Sequence, residues 1–121
     1  MQPHTLRGQT NYHAGLAAED SVVRDYTRRG HSELARRWRG RGGEIDLIFR
    51  EGARIVFVEV KKARSFAEAA ERIGPRQIER LFAAATEFLG GQPDGLLTDI
   101  RFDVALVDAS GAVEIRENAF A

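Results

Sequence analysis

The chain has 121 residues, 43% hydrophobic and 30% charged, which suits one α/β or α+β domain around a single core and leaves no room for two. Lys plus Arg and Asp plus Glu number 18 each, so net charge exerts no overall pull toward nucleic acid. The absence of cysteine excludes disulfides and thiolate metal sites, and no stretch approaches the roughly 20 apolar residues of a membrane span, so a soluble, cytoplasmic protein with no membrane partner is expected.

Residues 1–10 are polar, carry no signal-peptide core and read as a disordered tail, which leaves 11–121 as the single domain. From about Tyr12 to Arg29, Leu16, Ala17, Val22, Val23 and Tyr26 recur at helical spacing and Gly30 stops the run. Glu19 sits near that apolar stripe and can face the sheet. His31 to Arg39 reads as a strand with Leu34 and Trp38 as anchors, followed by a basic glycine turn, Gly40 to Gly43.

Charge is concentrated here. Residues 24–41 hold seven arginines (24, 28, 29, 36, 37, 39 and 41) against Asp25 and Glu33, whereas residues 87–121 hold seven acids against Arg101 and Arg116. Arg36, Arg37, Arg39 and Arg41 beside a glycine-rich turn suit phosphate oxygens, with backbone amides as extra donors. They equally suit a charged strand edge that discourages aggregation.

Glu44 to Phe49 and Arg54 to Val60 are rich in β-branched and aromatic residues, and the Glu51-Gly52 pair between them predicts a two-residue hairpin loop. That register puts Arg50 opposite Ala53, Asp46 opposite Phe57 and Glu44 opposite Glu59. Asp46, Glu59 and Lys61 then share a polar face, with Leu47, Val58 and Val60 on a core face. The two acids become diagonal neighbours, roughly 7 to 8 Å apart at the backbone, near enough to converge on one ion. Such hard oxygen ligands suit Mg2+ or Mn2+, and Lys61 can orient an attacking water or stabilise developing negative charge, a set fit for phosphodiester hydrolysis. The same three residues would be unremarkable on a solvated sheet face, and spacing by itself leaves both readings open.

Lys62 and Arg64 continue the positive charge past Lys61. Ser65 caps a short helix through roughly Ile73, and Gly74-Pro75 opens the next helix, Pro75 to Leu89, striped by Ile78, Leu81, Phe82, Ala85 and Leu89. Gln77, Arg76 and Arg80 near its start can reach a phosphate or simply be solvated. After a loop at Gly90 to Thr98, Ile100 to Val107 reads as a central strand and Ala112 to Ile115 as a short last one. Helix, three strands, helix and one or two strands predict a mixed sheet with helices packed on it. The three histidines show no zinc spacing, and neither a phosphate-binding glycine loop nor a serine elbow is present.

Glu19 on a first helix, Asp46 on a second strand and Glu59-Val60-Lys61 on a third resemble, in that order, the restriction-endonuclease-like fold of the PD-(D/E)XK superfamily. More closely, Gly15-Leu-Ala-Ala-Glu19, Gly43-Glu-Ile-Asp-Leu-Ile48, Val56-Phe-Val-Glu-Val-Lys61 and Arg101-Phe-Asp-Val104 resemble the YraN-like family of bacterial proteins, usually described as predicted endonucleases related to archaeal Holliday-junction resolvases. The chain departs from that family in the helical Phe66 to Arg72 connection, which is often glycine-rich there, and in Gln77, where many relatives carry Lys.

The resemblance implies a restriction-endonuclease-like α/β core with a mixed five-stranded sheet flanked by helices. It implies a Mg2+- or Mn2+-dependent endonuclease acting on DNA, including branched or junction DNA, and a homodimer. Asp46, Glu59 and the Val60 carbonyl become metal ligands, Glu19 an outer or second-metal ligand and Lys61 the water-orienting group, with Glu44 a further candidate. Arg36, Arg37, Arg39, Arg41, Lys62, Arg64 and Gln77 are the expected nucleic-acid contacts. Two other classes compete: a nuclease-like module that binds nucleic acid for a partner protein without cutting, and an assembly protein with no nucleic-acid partner.

Overall fold

The computed structural model of the chain describes residues 3–120, with side chains from Gly15 to Phe120. The elements are α1 (Pro3–Arg28), β1 (Ser32–Arg39), β2 (Glu44–Glu51), β3 (Arg54–Lys62), α2 (Phe66–Glu71), α3 (Pro75–Leu89), β4 (Ile100–Val107) and β5 (Val113–Arg116), with a 3-10 turn at Gly95–Leu97. Among the described residues, no helix is long and apolar enough to cross a membrane. α1 begins well before the expected start at Tyr12, so the described part of the expected tail is helical; Met1 and Gln2 lie outside the described residues. Ser65 caps α2 as expected, its hydroxyl accepting from the Glu68 amide at 3.1 Å, and Pro75 begins α3.

One mixed five-stranded sheet runs in the order β1-β2-β3-β4-β5. Only β3 and β4 are parallel, and the connection between them carries α2 and α3. α1 covers one face, where Ala18, Val22 and Tyr26, four residues apart along the helix, pack on Leu47, Phe49, Val56, Val58, Ala105 and Val107. α3 covers the other, laying Leu81, Ala84, Ala85 and Leu89 on Ile48, Ile55 and Phe57. The expected division of the hairpin into a polar face and a core face is therefore overturned. Both faces are core, and the polar residues lie toward one end of the α3 face.

The hairpin register also differs from expectation. Glu51 pairs with Arg54 and Leu47 with Val58, so Gly52-Ala53, not Glu51-Gly52, forms the loop. Gly52 has φ +60°, a left-handed conformation that glycine adopts without steric penalty. This register, continued by one pair, brings Asp46 level with Glu59 instead of Phe57.

A second irregularity falls at the same level. Along β1 and β2 the pairs Ala35↔Ile48, Arg36↔Leu47, Trp38↔Ile45 and Arg39↔Glu44 skip Arg37 and Asp46. Ala35 and Trp38, three residues apart, pack on the α3 side, as do Ile48 and Ile45. Side chains in a regular strand alternate every residue, so both strands change face across the skipped pair. Arg37 has φ +50°, uncommon for a residue with a side chain and costing of order 1–3 kcal/mol.

Far from this break, β4 buries a charged pair. Asp103 is fully buried and accepts two hydrogen bonds from Arg101, at 2.8 and 2.9 Å, one from the Tyr26 hydroxyl at 2.7 Å and one from the Asn118 amide at 3.1 Å. Arg101 also faces Glu51 at 3.6 Å and Glu117 at 3.7 Å. The network ties α1, β4, the β2–β3 turn and the C-terminal segment together.

Candidate active site

β2 and β3 stop pairing at Leu47 and Val58, while β3 remains paired with β4 as far as Lys62 and Val107. The Val60 amide, left without a β2 carbonyl, donates instead to Asp46 Oδ2 at 2.8 Å. The change of face at Asp46 thus turns its carboxylate across the gap toward β3. A cleft of about 360 Å³ opens there, lined by Glu44, Asp46, Glu59, Val60, Lys61, Gln77 and Arg80.

Glu59 is the buried centre of this cleft, only 6% exposed. Its Oε1 accepts from Gln77 Nε2 at 2.6 Å and lies 3.5 Å from Lys61 Nζ. Burial and the adjoining Asp46 carboxylate push the Glu59 carboxyl up to about 8, with Lys61 pulling the other way. Two acids in one buried place repel unless a proton or a cation joins them. Hard oxygen donors at such a point fit Mg2+ or Mn2+. Among the described residues, no group of three or more His, Cys, Asp or Glu side chains forms a metal set, so further oxygen donors would have to come from backbone or water.

The raised Glu59 carboxyl has a measurable consequence. A folded chain that keeps this proton until about pH 8, where an ordinary glutamate releases it near 4.5, binds more protons than the unfolded chain between those values. With divalent cations chelated, this group's contribution makes stability fall as pH rises through that window, by up to about 1.4 kcal/mol per pH unit. Urea unfolding of wild type and Glu59→Gln at pH 5 and pH 8 isolates it: the wild type should lose more stability than the variant, and equal losses would contradict the assignment.

The remaining sequence candidates lie elsewhere. Glu19, on α1, is 8% exposed and accepts from Arg37 Nε, at 3.2 Å to each carboxylate oxygen; neither residue lines the cleft. Arg36 is bound to Asp20 at 2.6 Å and Glu33 at 2.7 Å, Arg39 to Glu44 at 3.1 Å and Arg64 to Glu68 at 3.3 Å. The Lys62 carbonyl accepts from Arg72. Of the expected nucleic-acid contacts only Gln77 lines the cleft.

Nor is the glycine turn between β1 and β2 an open cradle. The Arg41 and Gly42 amides already donate to Glu87 Oε1, at 2.7 and 3.1 Å, leaving the Arg41 side chain exposed. Gly42 and Gly43 lie so close to α3 that a Cβ would come within 2.9 Å of Ala83 Cβ and of the Arg80 carbonyl oxygen, respectively. The glycines let α3 seat against the start of β2. Of Arg76 and Arg80, both open in the sequence to a phosphate or to solvent, Arg80 lines the cleft; its spacing of three from Gln77, one helical turn on the same face, is the signal for it.

The fold and the cleft define a class: an α/β protein with a mixed five-stranded sheet whose splayed central strands present a buried acid pair and a lysine. The family model of the uncharacterised protein family UPF0102 matches residues 18–107. The chain belongs to that family. It is 64% identical over 120 residues to a UPF0102 protein of Ruegeria pomeroyi, covering 99% of this chain and 98% of the relative. Similar relatives are UPF0102 proteins of Cereibacter sphaeroides strain KD131, 60% identical over 96% of this chain and 99% of the relative, and of Dinoroseobacter shibae, 45% identical over 93% and 84%.

Proposed function

We propose that this protein is a metal-dependent endonuclease that hydrolyses phosphodiester bonds in DNA, with branched or junction DNA among its substrates. The observation that supports this reading is the convergence of the Asp46 and Glu59 carboxylates beside Lys61 in a cleft open to solvent. Asp46 and Glu59, with the Val60 carbonyl, would hold Mg2+ or Mn2+. A cation bound there lowers the pKa of a coordinated water and neutralises charge on the phosphate.

The chain's own groups supply the rest. Gln77 fixes one Glu59 oxygen, and the carboxylate so held would serve as a ligand to the ion. Lys61, half-buried and held near Glu59, donates to the attacking water and orients it on phosphorus. As the new oxygen–phosphorus bond forms, the water proton leaves to solvent, the old ester bond breaks and the departing oxygen takes up a proton. The products are a phosphate monoester and an alcohol.

The test is cleavage of an end-labelled panel, comprising a four-way junction, a flap, a duplex and single strands, with Mg2+ or Mn2+. Wild type should cut at least one substrate, and Asp46→Asn prepared identically should cut none. Equal cutting by both would remove Asp46 from the site. Binding by both without cutting would favour a non-catalytic nucleic-acid module that acts with a partner.

A further inference from the structure

We propose that Arg80 grips the scissile phosphate in the acid cleft, supplying the positive charge that faces its non-bridging oxygens. The inference rests on the nuclease reading for the identity of that phosphate, but its support is separate. Arg80 lines the same cleft as Asp46 and Glu59. Lys61, the cleft's other cation, is already engaged with Glu59. Among the described residues, the side chains of Arg41, Arg50, Arg76 and Arg80 make no hydrogen bond or ion pair, and of these four Arg80 alone lines the cleft. A guanidinium left unpaired beside three acids is poised for an anion that arrives from outside.

Its backbone is fixed to the same framework as the acids. Gly43, directly before Glu44 and three residues before Asp46, presses on the Arg80 carbonyl and Cβ so closely that an added Cβ would lie 2.9 and 3.1 Å from them. Glu87, two helical turns further along α3, ties the preceding turn through the Arg41 and Gly42 amides. At the other side Gln77, one turn before Arg80, is bonded to Glu59. α3 is thereby anchored to both strands that carry the acid pair, and position 80 is held beside the acids by those contacts. The planar fork of an arginine matches two phosphate oxygens at once, and a donor fixed before the reaction requires no reorganisation as charge grows.

The experiment compares wild type, Arg80→Ala and Arg80→Lys on a normal DNA substrate and on one carrying a single methylphosphonate, which lacks the anionic oxygen, at the mapped cleavage position. Single-turnover cleavage in Mg2+ should fall about 100-fold for Arg80→Ala on normal DNA, with partial recovery in Arg80→Lys, while on the methylphosphonate the three proteins should cut equally slowly. Binding is measured in parallel with Ca2+ in place of Mg2+, over a range of salt. Loss of one phosphate contact should reduce the slope of log affinity against log salt by about 0.9 for duplex DNA in Arg80→Ala.

Unchanged cleavage, or the same fold-loss on both substrates, would overturn the proposal. If wild type cuts nothing, the nuclease reading fails independently and the salt slope decides whether Arg80 holds a phosphate. An unchanged slope then overturns the contact, and a reduced one upholds it.

Discussion

Lys61→Ala is expected to lower the single-turnover cleavage rate constant by 100-fold or more while weakening DNA binding by less than about threefold. The asymmetry follows from where Lys61 sits. Its Nζ lies 3.5 Å from a buried carboxylate of the cleft, and its side chain is itself mostly buried. A group that orients the attacking water acts only in the chemical step and so affects the rate constant, whereas a uniform contact affects affinity. A variant that cuts as fast as wild type would strip Lys61 of its role. An equal loss in binding and rate would recast it as a simple phosphate contact.

The second large effect concerns stability. Arg101→Leu should destabilise the fold by about 3–5 kcal/mol, because it leaves a fully buried carboxylate without its counter-charge. Asp103 would retain only the Tyr26 hydroxyl and the Asn118 amide as donors. That loss is comparable with a large part of the 5–15 kcal/mol typical of a domain. The double variant Arg101→Leu/Asp103→Leu should recover most of it, since desolvating both ions roughly cancels their attraction. Urea unfolding of the three proteins checks this. A loss below about 1 kcal/mol in the single variant would mean that Asp103 draws its support from elsewhere.

Much of the architecture was legible because it rests on local signals. Gly74-Pro75 followed by a 3.6-residue apolar stripe marked both ends of α3, and the dense apolar run from Ile100 to Val107 marked β4. The convergence of Asp46, Glu59 and Lys61 was legible from alternation, although by a register two residues out of step. The turn chemistry misled: Gly52 takes the first loop position with positive φ, not the second.

Other features depend on contacts that no local pattern encodes. The change of face at Asp46 lies beside Arg37 in a left-handed conformation that arginine seldom adopts, and it is the packing of Ile45, Leu47 and Ile48 that reveals it. The arginine-rich stretch announces charge but not partners; Arg36 and Arg37 are satisfied by Asp20 and Glu19 of α1, 16 and 18 residues away. The glycine turn looked like a phosphate cradle, yet its amides belong to Glu87, 46 residues on from Arg41. Nor does a strand pattern foretell that Asp103 will meet Tyr26 across 77 residues.

Asp46 and Glu59 are expected to form a divalent-cation centre, and calorimetric titration of Mn2+ into metal-free protein at pH 7 tests this without requiring a substrate. Wild type should show one saturable site per chain, with a heat that varies with the ionisation enthalpy of the buffer because the ion displaces the Glu59 proton. Asp46→Asn should bind at least tenfold more weakly. Identical isotherms for the two proteins, or no saturable binding by wild type at millimolar Mn2+, would contradict it.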